Sequence, residues 1–362
     1  MKTKSNLWAN FKNWVESHKK PAIALSVGLF VLSLAIIGGC AFLLLKPGEV
    51  VAMTEQPKIE APVYPEIFRS PLTGGKVATE ELTKRQVTAI MIENSPDARP
   101  QSGLRDSGVV FEAIAEGGIT RFLALYQEQR PSLIGPVRSV RPYYVDWLAS
   151  FDAAVAHIGG SANALKEVRN GQYKDIDQFF NAQAYWRATD RYAPHNVYTD
   201  FDHLDELNQS KGFTSSSFTA WPRKIDSPPP APKVTKIDVD VSSPTFDVHY
   251  DYDPASNTYL RSFGTGEPHE DREAGRIAPK VVVVMKVPSS IAFEDGYREQ
   301  MATVGTGQAY FFQDGQIIEG FWNKPNQKAP ISFYDKLGQS IVFNEGQIWI
   351  TVTDPDKDVT WQ

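Results

Sequence analysis

From Ala22 to Leu45 the chain runs for 24 residues without a charged side chain, rich in Ala, Leu, Ile, Val and Phe. A helix rises 1.5 Å per residue, so ~20 apolar residues cross a bilayer core. The run therefore predicts one transmembrane helix over residues 21–46 and divides the rest of the chain between two sides of a membrane. Lys19 and Lys20 precede the run and only Lys46 follows it. By the positive-inside rule, residues 1–20 form a cytoplasmic tail and Pro47 onward lies outside the cytoplasm. Ile37-Gly38-Gly39-Cys40 also has the form of a lipobox, whose cysteine would become the acylated N-terminus of a lipoprotein. Ala41 to Leu45 prolong the apolar run where a mature lipoprotein turns polar, so length and flanks favour the uncleaved span. Lipidation of Cys40 stays open, and both readings put the same body on the same side.

That body is large enough to fold without covalent help. Of the 362 residues, 42% are hydrophobic and 12% aromatic, a composition that buries cores rather than staying disordered. Cys40 is the only cysteine, so the body has no disulfide, no thiolate metal site and no thiol nucleophile. Net charge is −6, and the first twenty residues hold five Lys against Glu16, so the remainder is more acidic than the total. An acidic body repels a phosphate polymer, which disfavours nucleic acid as a partner.

Composition divides the body further. Residues 47–70, with Pro57, Pro62 and Pro65, read as a tether. Residues 214–233 cluster Ser215 to Ser217 and Pro228, Pro229, Pro230 and Pro232, and read as a linker between domains over 71–213 and 234–362. In the first domain, runs at 87–93, 109–115, 119–126, 133–138 and 153–158 read as strands, with Gly117-Gly118 as a hairpin turn. Helices are expected over 142–151, where Pro142 suits a first turn, and over 162–170. This alternation predicts an α/β or α+β N-terminal domain. The second domain reads as mostly β, with a buried strand at 281–285. Hairpins are expected around Asp314-Gly315, between 309–313 and 316–319, and around Glu345-Gly346, between 341–344 and 347–352.

Between Asn94 and Asp200 the chain has nine Arg and two Lys, whereas elsewhere it has seven Arg and nineteen Lys. Guanidinium groups suit planar recognition of carboxylate or phosphate, so the bias points to an anion site. The bland alternative is that these arginines pair with the twelve Asp and Glu of the same stretch. Arg138, Ser139 and Arg141 stand where an expected strand meets a helix start, and His157, Gly159, Gly160 and Ser161 stand in the next such turn. Helix starts favour anions, and parallel neighbours would open both turns on one sheet edge. His157 reads equally well as a buried, hydrogen-bonded histidine. His195 and Asn196, with Arg191, lie in a polar loop that suits either a site or a structural clamp. Asp106, Glu112, Glu116, Asp175 and Asp177 are weaker candidates for a base or metal ligand. No phosphate-binding Gly-Lys-Ser loop and no Gly-x-Ser-x-Gly elbow is present, and His269-Glu270-Asp271-Arg272-Glu273 lacks the second histidine of a zinc-protease helix. No cofactor or metal centre is implied.

Met91-Ile92-Glu93-Asn94, Ala98-Arg99-Pro100-Gln101-Ser102-Gly103-Leu104, Glu116-Gly117-Gly118-Ile119-Thr120-Arg121 and Gly135-Pro136-Val137-Arg138-Ser139-Val140-Arg141-Pro142 resemble blocks of the YerB-like bacterial lipoprotein family. His157-Ile158-Gly159-Gly160-Ser161, Ala193-Pro194-His195-Asn196 and Tyr259-Leu260-Arg261-Ser262 continue the likeness in order. The resemblance implies a two-domain bacterial envelope protein of no settled activity, commonly beginning with a lipoprotein signal. The continuous span departs from that pattern.

Three functions compete. A non-catalytic envelope module would bind an anionic glycan, a lipid-linked precursor or a partner protein through Arg99, Arg121, Arg138, Ser139, Arg141, His157, Ser161, Arg191, His195 and Asn196. An envelope phosphotransferase on lipid-linked substrates would use Asp106 or Glu116 as base or metal ligand; the likeness to the LytR-CpsA-Psr transferases is analogy alone. A scaffold would hold a membrane complex. The sequence ranks the binding module first, names no catalytic residue and leaves catalysis open.

Overall fold

The computed structural model describes residues 5–18, 27–36, 67–292 and 298–362. It divides into two units, Met1–Pro65 and Glu66–Gln362. In the first, Ser5–Ser17 forms helix α1 and residues 27–36 form α2, with Leu29, Phe30, Val31, Leu32 and Ile36 exposed. The remainder of the expected span over 21–46, and most of the tether, lie outside the described residues. Among the described residues no helix is long and apolar enough to cross a membrane.

The second unit is built on a ten-stranded mixed sheet. From the first half of the sequence come β1 (Thr88–Glu93), β2 (Val109–Glu116), β3 (Ile119–Tyr126), β4 (Ala154–Ala156) and β5 (Lys174–Asp175). A small antiparallel sheet contributes β6 (Lys236–Val239), β7 (Val248–Asp253) and β8 (Thr258–Phe263). The large sheet continues with β9 (Val281–Lys286), β10 (Gly305–Gln313), β11 (Gln316–Lys324), β12 (Ser332–Asp335) and β13 (Ile348–Thr353). Terminal β14 (Val359–Trp361) joins β6 in the small sheet. Across the large sheet the order is β12-β11-β10-β9-β13-β2-β3-β1-β4-β5. The two halves of the sequence therefore meet inside one sheet, at the parallel pair β13–β2, where Ile348 stands opposite Val109 and Thr351 opposite Glu112. Residues 214–233 join both halves and are themselves held: Arg223 and Lys224 pair with Phe343 and Asn344, and Trp221 donates to the Ile331 carbonyl at 2.8 Å.

Both faces of the large sheet are covered, and side chains alternate between them as strand geometry requires. Ala89, Met91, Phe111, Leu123, Val283 and Ile350 point to one core, filled by Tyr143, Tyr144 and Trp147 of helix α3 (Pro142–Leu148) and by Ala164 and Val168 of α4 (Ala162–Val168). Ile90, Ile92, Val110, Phe122, Val282 and Trp349 point to the other, against Ile237, Val239, Val248 and Tyr250 of the small sheet. Each large apolar side chain so buried contributes roughly 1.5–3 kcal/mol, which removes any need for disulfides.

Turn chemistry agrees with the expected hairpins at two places. Gly117 and Gly118 (φ 58° and 78°) and Asp314 and Gly315 (φ 56° and 62°) take the left-handed conformations of a two-residue hairpin turn. Two expectations are corrected. The stretch 133–138 is extended but makes only single bridges, because Pro136 has no N–H to give to a ladder. The expected Glu345-Gly346 hairpin is absent: Phe343–Asn344 pairs with 223–224, while β13 lies between β9 and β2 with both edges occupied by parallel neighbours.

One buried ion pair links the layers. Glu112 of β2 and Arg261 of β8 are both 0% exposed, and Nη2 of Arg261 lies 2.9 and 2.8 Å from the two carboxylate oxygens. Trp349 Nε1 and Thr120 Oγ1 donate to the same carboxylate at 2.9 and 3.2 Å. Truncating one partner leaves the other charged and buried, at a cost of about 3–5 kcal/mol. Glu112→Ala and Arg261→Ala in Glu66–Gln362 should each lower unfolding stability in urea by that order. The double variant should lose clearly less than the sum, and additive losses would show the pair to be uncoupled.

Candidate functional site

Segment 133–141 crosses the carboxyl ends of β1 and β4, fastened by Arg138 N–H to the Met91 carbonyl (2.8 Å) and Ile158 N–H to the Arg138 carbonyl (3.1 Å). Val140 bridges Gly160, so the two turns preceding α3 and α4 adjoin. Each helix is only seven residues long, so its dipole is small and the site's electrostatics rest on side chains.

Those side chains form separate networks instead of one convergent pocket, which corrects the expectation of a single guanidinium cluster. In the first network Glu93, at the end of β1, lies 3.0 Å from Arg138 Nε through one oxygen and 2.9 Å from His195 Nδ1 through the other. Arg138 makes an ion-pair contact there without an aligned hydrogen bond from Nε. The same loop is clamped by Arg191, which donates to the Asp97 and Pro100 carbonyls at 3.3 and 2.6 Å. Asn196 accepts from Arg187 at 2.7 Å and donates to the Ala188 carbonyl at 3.1 Å. Arg191 and Asn196 are thus loop fasteners.

His157 is fully buried, with Nδ1 2.7 Å from the Gly159 carbonyl and Nε2 3.0 Å from Asp175 Oδ1. Asp177 accepts the Gly159 N–H at 3.2 Å and pairs with Arg169. Asp175 and Asp177 serve the turn, and His157 is the buried, hydrogen-bonded histidine of the blander reading. Arg99 belongs elsewhere: its guanidinium stacks 3.6 Å above the Phe263 ring and donates to Asn94 Oδ1 at 3.1 Å and the Thr245 carbonyl at 2.9 Å. Burial and the nearby Arg261 pull it down to about 10.

The third network is different in charge. Glu116, at the end of β2, takes two guanidinium groups: Arg121 Nη2 at 2.9 Å, and Arg141 through Nη2 and through Nε at 3.1 Å. Arg121 also donates to the Ser139 carbonyl at 2.7 Å, and Ser139 Oγ to the Ile158 carbonyl at 2.9 Å. Both guanidinium side chains are only 4% exposed. Two cations meet this one carboxylate: burial first, and then Arg121, pull Arg141 below its usual range, against the pull of Glu116. Burial alone would raise Glu116, but Arg121 and Arg141 outweigh it and hold the carboxyl below the ordinary carboxylate range. Next to this network opens a pocket of about 320 Å³ walled by Pro142, Ser161, Asn163, Arg298, Glu299 and Gln300. Ser161 Oγ is buried there without a hydrogen bond, and a backbone bridge joins Glu116 to Arg298.

The structure therefore brings Arg121, Ser139, Arg141 and Ser161 to one neighbourhood, and Arg138 with His195 to another, where the sequence expected one pocket. Sequence reasoning missed Arg298 and Gln300, which reach the pocket from 182 and 184 residues along the chain from Glu116 with no local motif to mark them. Among the described residues no group of three His, Cys, Asp or Glu could hold a metal ion.

Comparison with known proteins covers most of the second unit. Residues 72–214 match the family model described as the N-terminal domain of a protein of unknown function (DUF3048), and residues 237–350 match the corresponding C-terminal domain. The chain is 33% identical over 309 residues, 84% of its length and 91% of the relative's, to YerB of Bacillus subtilis (strain 168), whose full name includes the word lipoprotein. A crystal structure of the Bacillus subtilis YerB protein superposes with a TM-score of 0.72 at 30% identity, covering 81% of this chain and 99% of that one.

A carboxyl held low in the folded state binds its proton less readily there than in the unfolded chain. Its stabilising contribution is present above the ordinary value of 4.5 and is lost as pH falls through the lowered folded value. In Glu66–Gln362, stability should rise with pH through the region just below 4.5, and Glu116→Gln should flatten that rise. An unchanged slope in acid-urea titrations would refute the ion triad.

Proposed function

The chain belongs to the two-domain DUF3048 family that includes YerB, and from that premise we propose that it is an envelope protein held at the membrane by its N-terminal segment, with an extracytoplasmic body that is a non-catalytic module for an anionic ligand. The uncharged run Ala22–Leu45 and the lysines before it support the anchor and its orientation. The relative's lipoprotein name supports a membrane-associated setting for the body, by span or by lipid.

The observation that carries the ligand reading is the Glu116 network. One carboxylate faces Arg121 and Arg141, and the adjacent pocket, whose wall also holds Glu299, adds Gln300 and an unsatisfied Ser161 hydroxyl. A phosphate or carboxylate group on a glycan, a lipid-linked precursor or a partner protein would meet positive potential and hydrogen-bond donors together. Catalysis is disfavoured because Glu116 is held as a counter-ion to two arginines and Asp106 stands apart, its carboxyl pushed up by burial and by Asp271.

Calorimetric titration of Glu66–Gln362 with inorganic pyrophosphate and with a uronic-acid oligosaccharide tests the reading. Binding of at least one probe is expected, weakened roughly tenfold (~1.4 kcal/mol) by Ser161→Ala and untouched by Arg191→Gln. Absence of binding to both probes, or equal loss in the two variants, would sink it. For the anchor, intact mass spectrometry of the wild-type chain from membranes should return residues 1–39 still attached. A diacylated Cys40 at a new N-terminus would replace the span with a lipid.

A further inference from the structure

Among the described residues, helix α1 presents an exposed apolar face. Trp8, Phe11 and Trp14 are 74%, 59% and 44% exposed, and their rings follow one another along the helix, with centroids 6.3 and 6.4 Å apart, on to His18 at 5.6 Å. At 100° per residue, Trp8, Phe11, Trp14 and Val15 fall on one side, while Asn10, Lys12, Asn13, Glu16 and Ser17 fall on the other. A lone 13-residue helix is marginal in water, so a segment patterned in this way needs a surface that takes the aromatic stripe.

We infer that α1 lies flat on the anionic phospholipid surface of the membrane's cytoplasmic leaflet, as an interfacial helix feeding into the apolar run. Charge and continuity select this occupant. Lys12 lies in the helix and Lys2, Lys4, Lys19 and Lys20 flank it in the sequence, against Glu16 alone, and the uncharged run begins at Ala22, four residues beyond His18. Tryptophan suits this boundary because its ring is apolar and its N–H remains wet. A second copy of the helix fits poorly, since thirteen residues make fewer than two heptads and the lysines repel their own kind. The inference rests on the uncleaved anchor of the proposed function. It adds that residues 5–17 are a second membrane contact, one that responds to lipid charge.

The full chain with Cys40→Ser, reconstituted in phosphatidylglycerol/phosphatidylcholine vesicles, tests it by nitroxide labels at Val15→Cys on the aromatic side and Asn13→Cys on the polar side. The ratio of collision accessibility to oxygen over a nickel chelate should be several-fold higher at position 15 than at 13. That contrast should shrink in phosphatidylcholine alone and vanish when Trp8→Ser and Trp14→Ser are added. Equal, water-like ratios at both positions in the anionic vesicles overturn the inference. Dipolar broadening between labels at position 15 also overturns it, because it reports a paired helix. Failure of the anchor itself is read separately, from loss of residues 1–39 in the wild-type chain.

Discussion

The Glu112–Arg261 pair is the contact on which the arrangement of layers depends. Charges taken wholly out of water are tolerated only when their partners and remaining hydrogen-bond positions are fixed in place. Here the carboxylate comes from the large sheet and the guanidinium from the small one, with Trp349 donating from β13. Arg261 is packed beneath Trp349 and Phe263, 4.7 and 5.2 Å from their ring centres. Its Nη1 meets His269 Nδ1, and His269 Nε2 lies 3.0 Å from Gln101 Oε1. Burial first, and then Arg261, hold His269 well below its ordinary range, so it sits as a neutral ring that accepts from Arg261 and donates to Gln101. Any slip of one sheet over the other would strand a charge, so the network selects one register, whereas apolar contacts alone would tolerate several.

This explains how two family regions, matching residues 72–214 and 237–350, make one compact unit. Strand β13 comes from the second region and completes the sheet of the first, with Ile348 to Thr351 beside Val109 to Glu112. The Gln101 and Asn94 side chains then extend the polar network from Arg261 toward β1, where Glu93 begins the loop that holds His195. Buried pairing thus runs without interruption from the seam between the regions to the edge where the sequence placed its candidate site.

Local features of the fold were legible because their causes are local. Asp314-Gly315 and Gly117-Gly118 announce hairpins since few other residues accept their φ values. The strand Val281–Lys286 was visible as a run of apolar residues, for it is buried on both faces. Glu345-Gly346 misled because the same turn chemistry also ends a strand without starting a hairpin. The arginines were legible as donors, but a donor's role is set by its acceptor, and Arg138 meets Glu93 from 45 residues away while Arg141 meets Glu116 from 25. No periodicity encodes such pairings, so the sequence showed which residues carry charge and left their partners to the fold. His157 shows the same limit: a turn with Gly159 and Gly160 looks like a ligand cradle until Asp175 and Asp177 fill it.

Counting charges in each network separates structure from function. Where carboxylates outnumber guanidinium groups, as with Asp175 and Asp177 beside Arg169, the arrangement is closed and an incoming anion gains nothing. The Glu93 network is nearly closed, with Arg138 on one oxygen and His195 on the other. At Glu116 two permanent cations, each 4% exposed, face one carboxylate that is 28% exposed, with Glu299 in the adjoining wall, and a buried charge is costly unless it is neutralised. On the proposed reading, a bound anion in the neighbouring pocket would lower that cost. The same pairing argues against proton transfer there, because a carboxyl held low by two guanidinium groups is a weak base. Recognition of charge is the chemistry that such an arrangement favours.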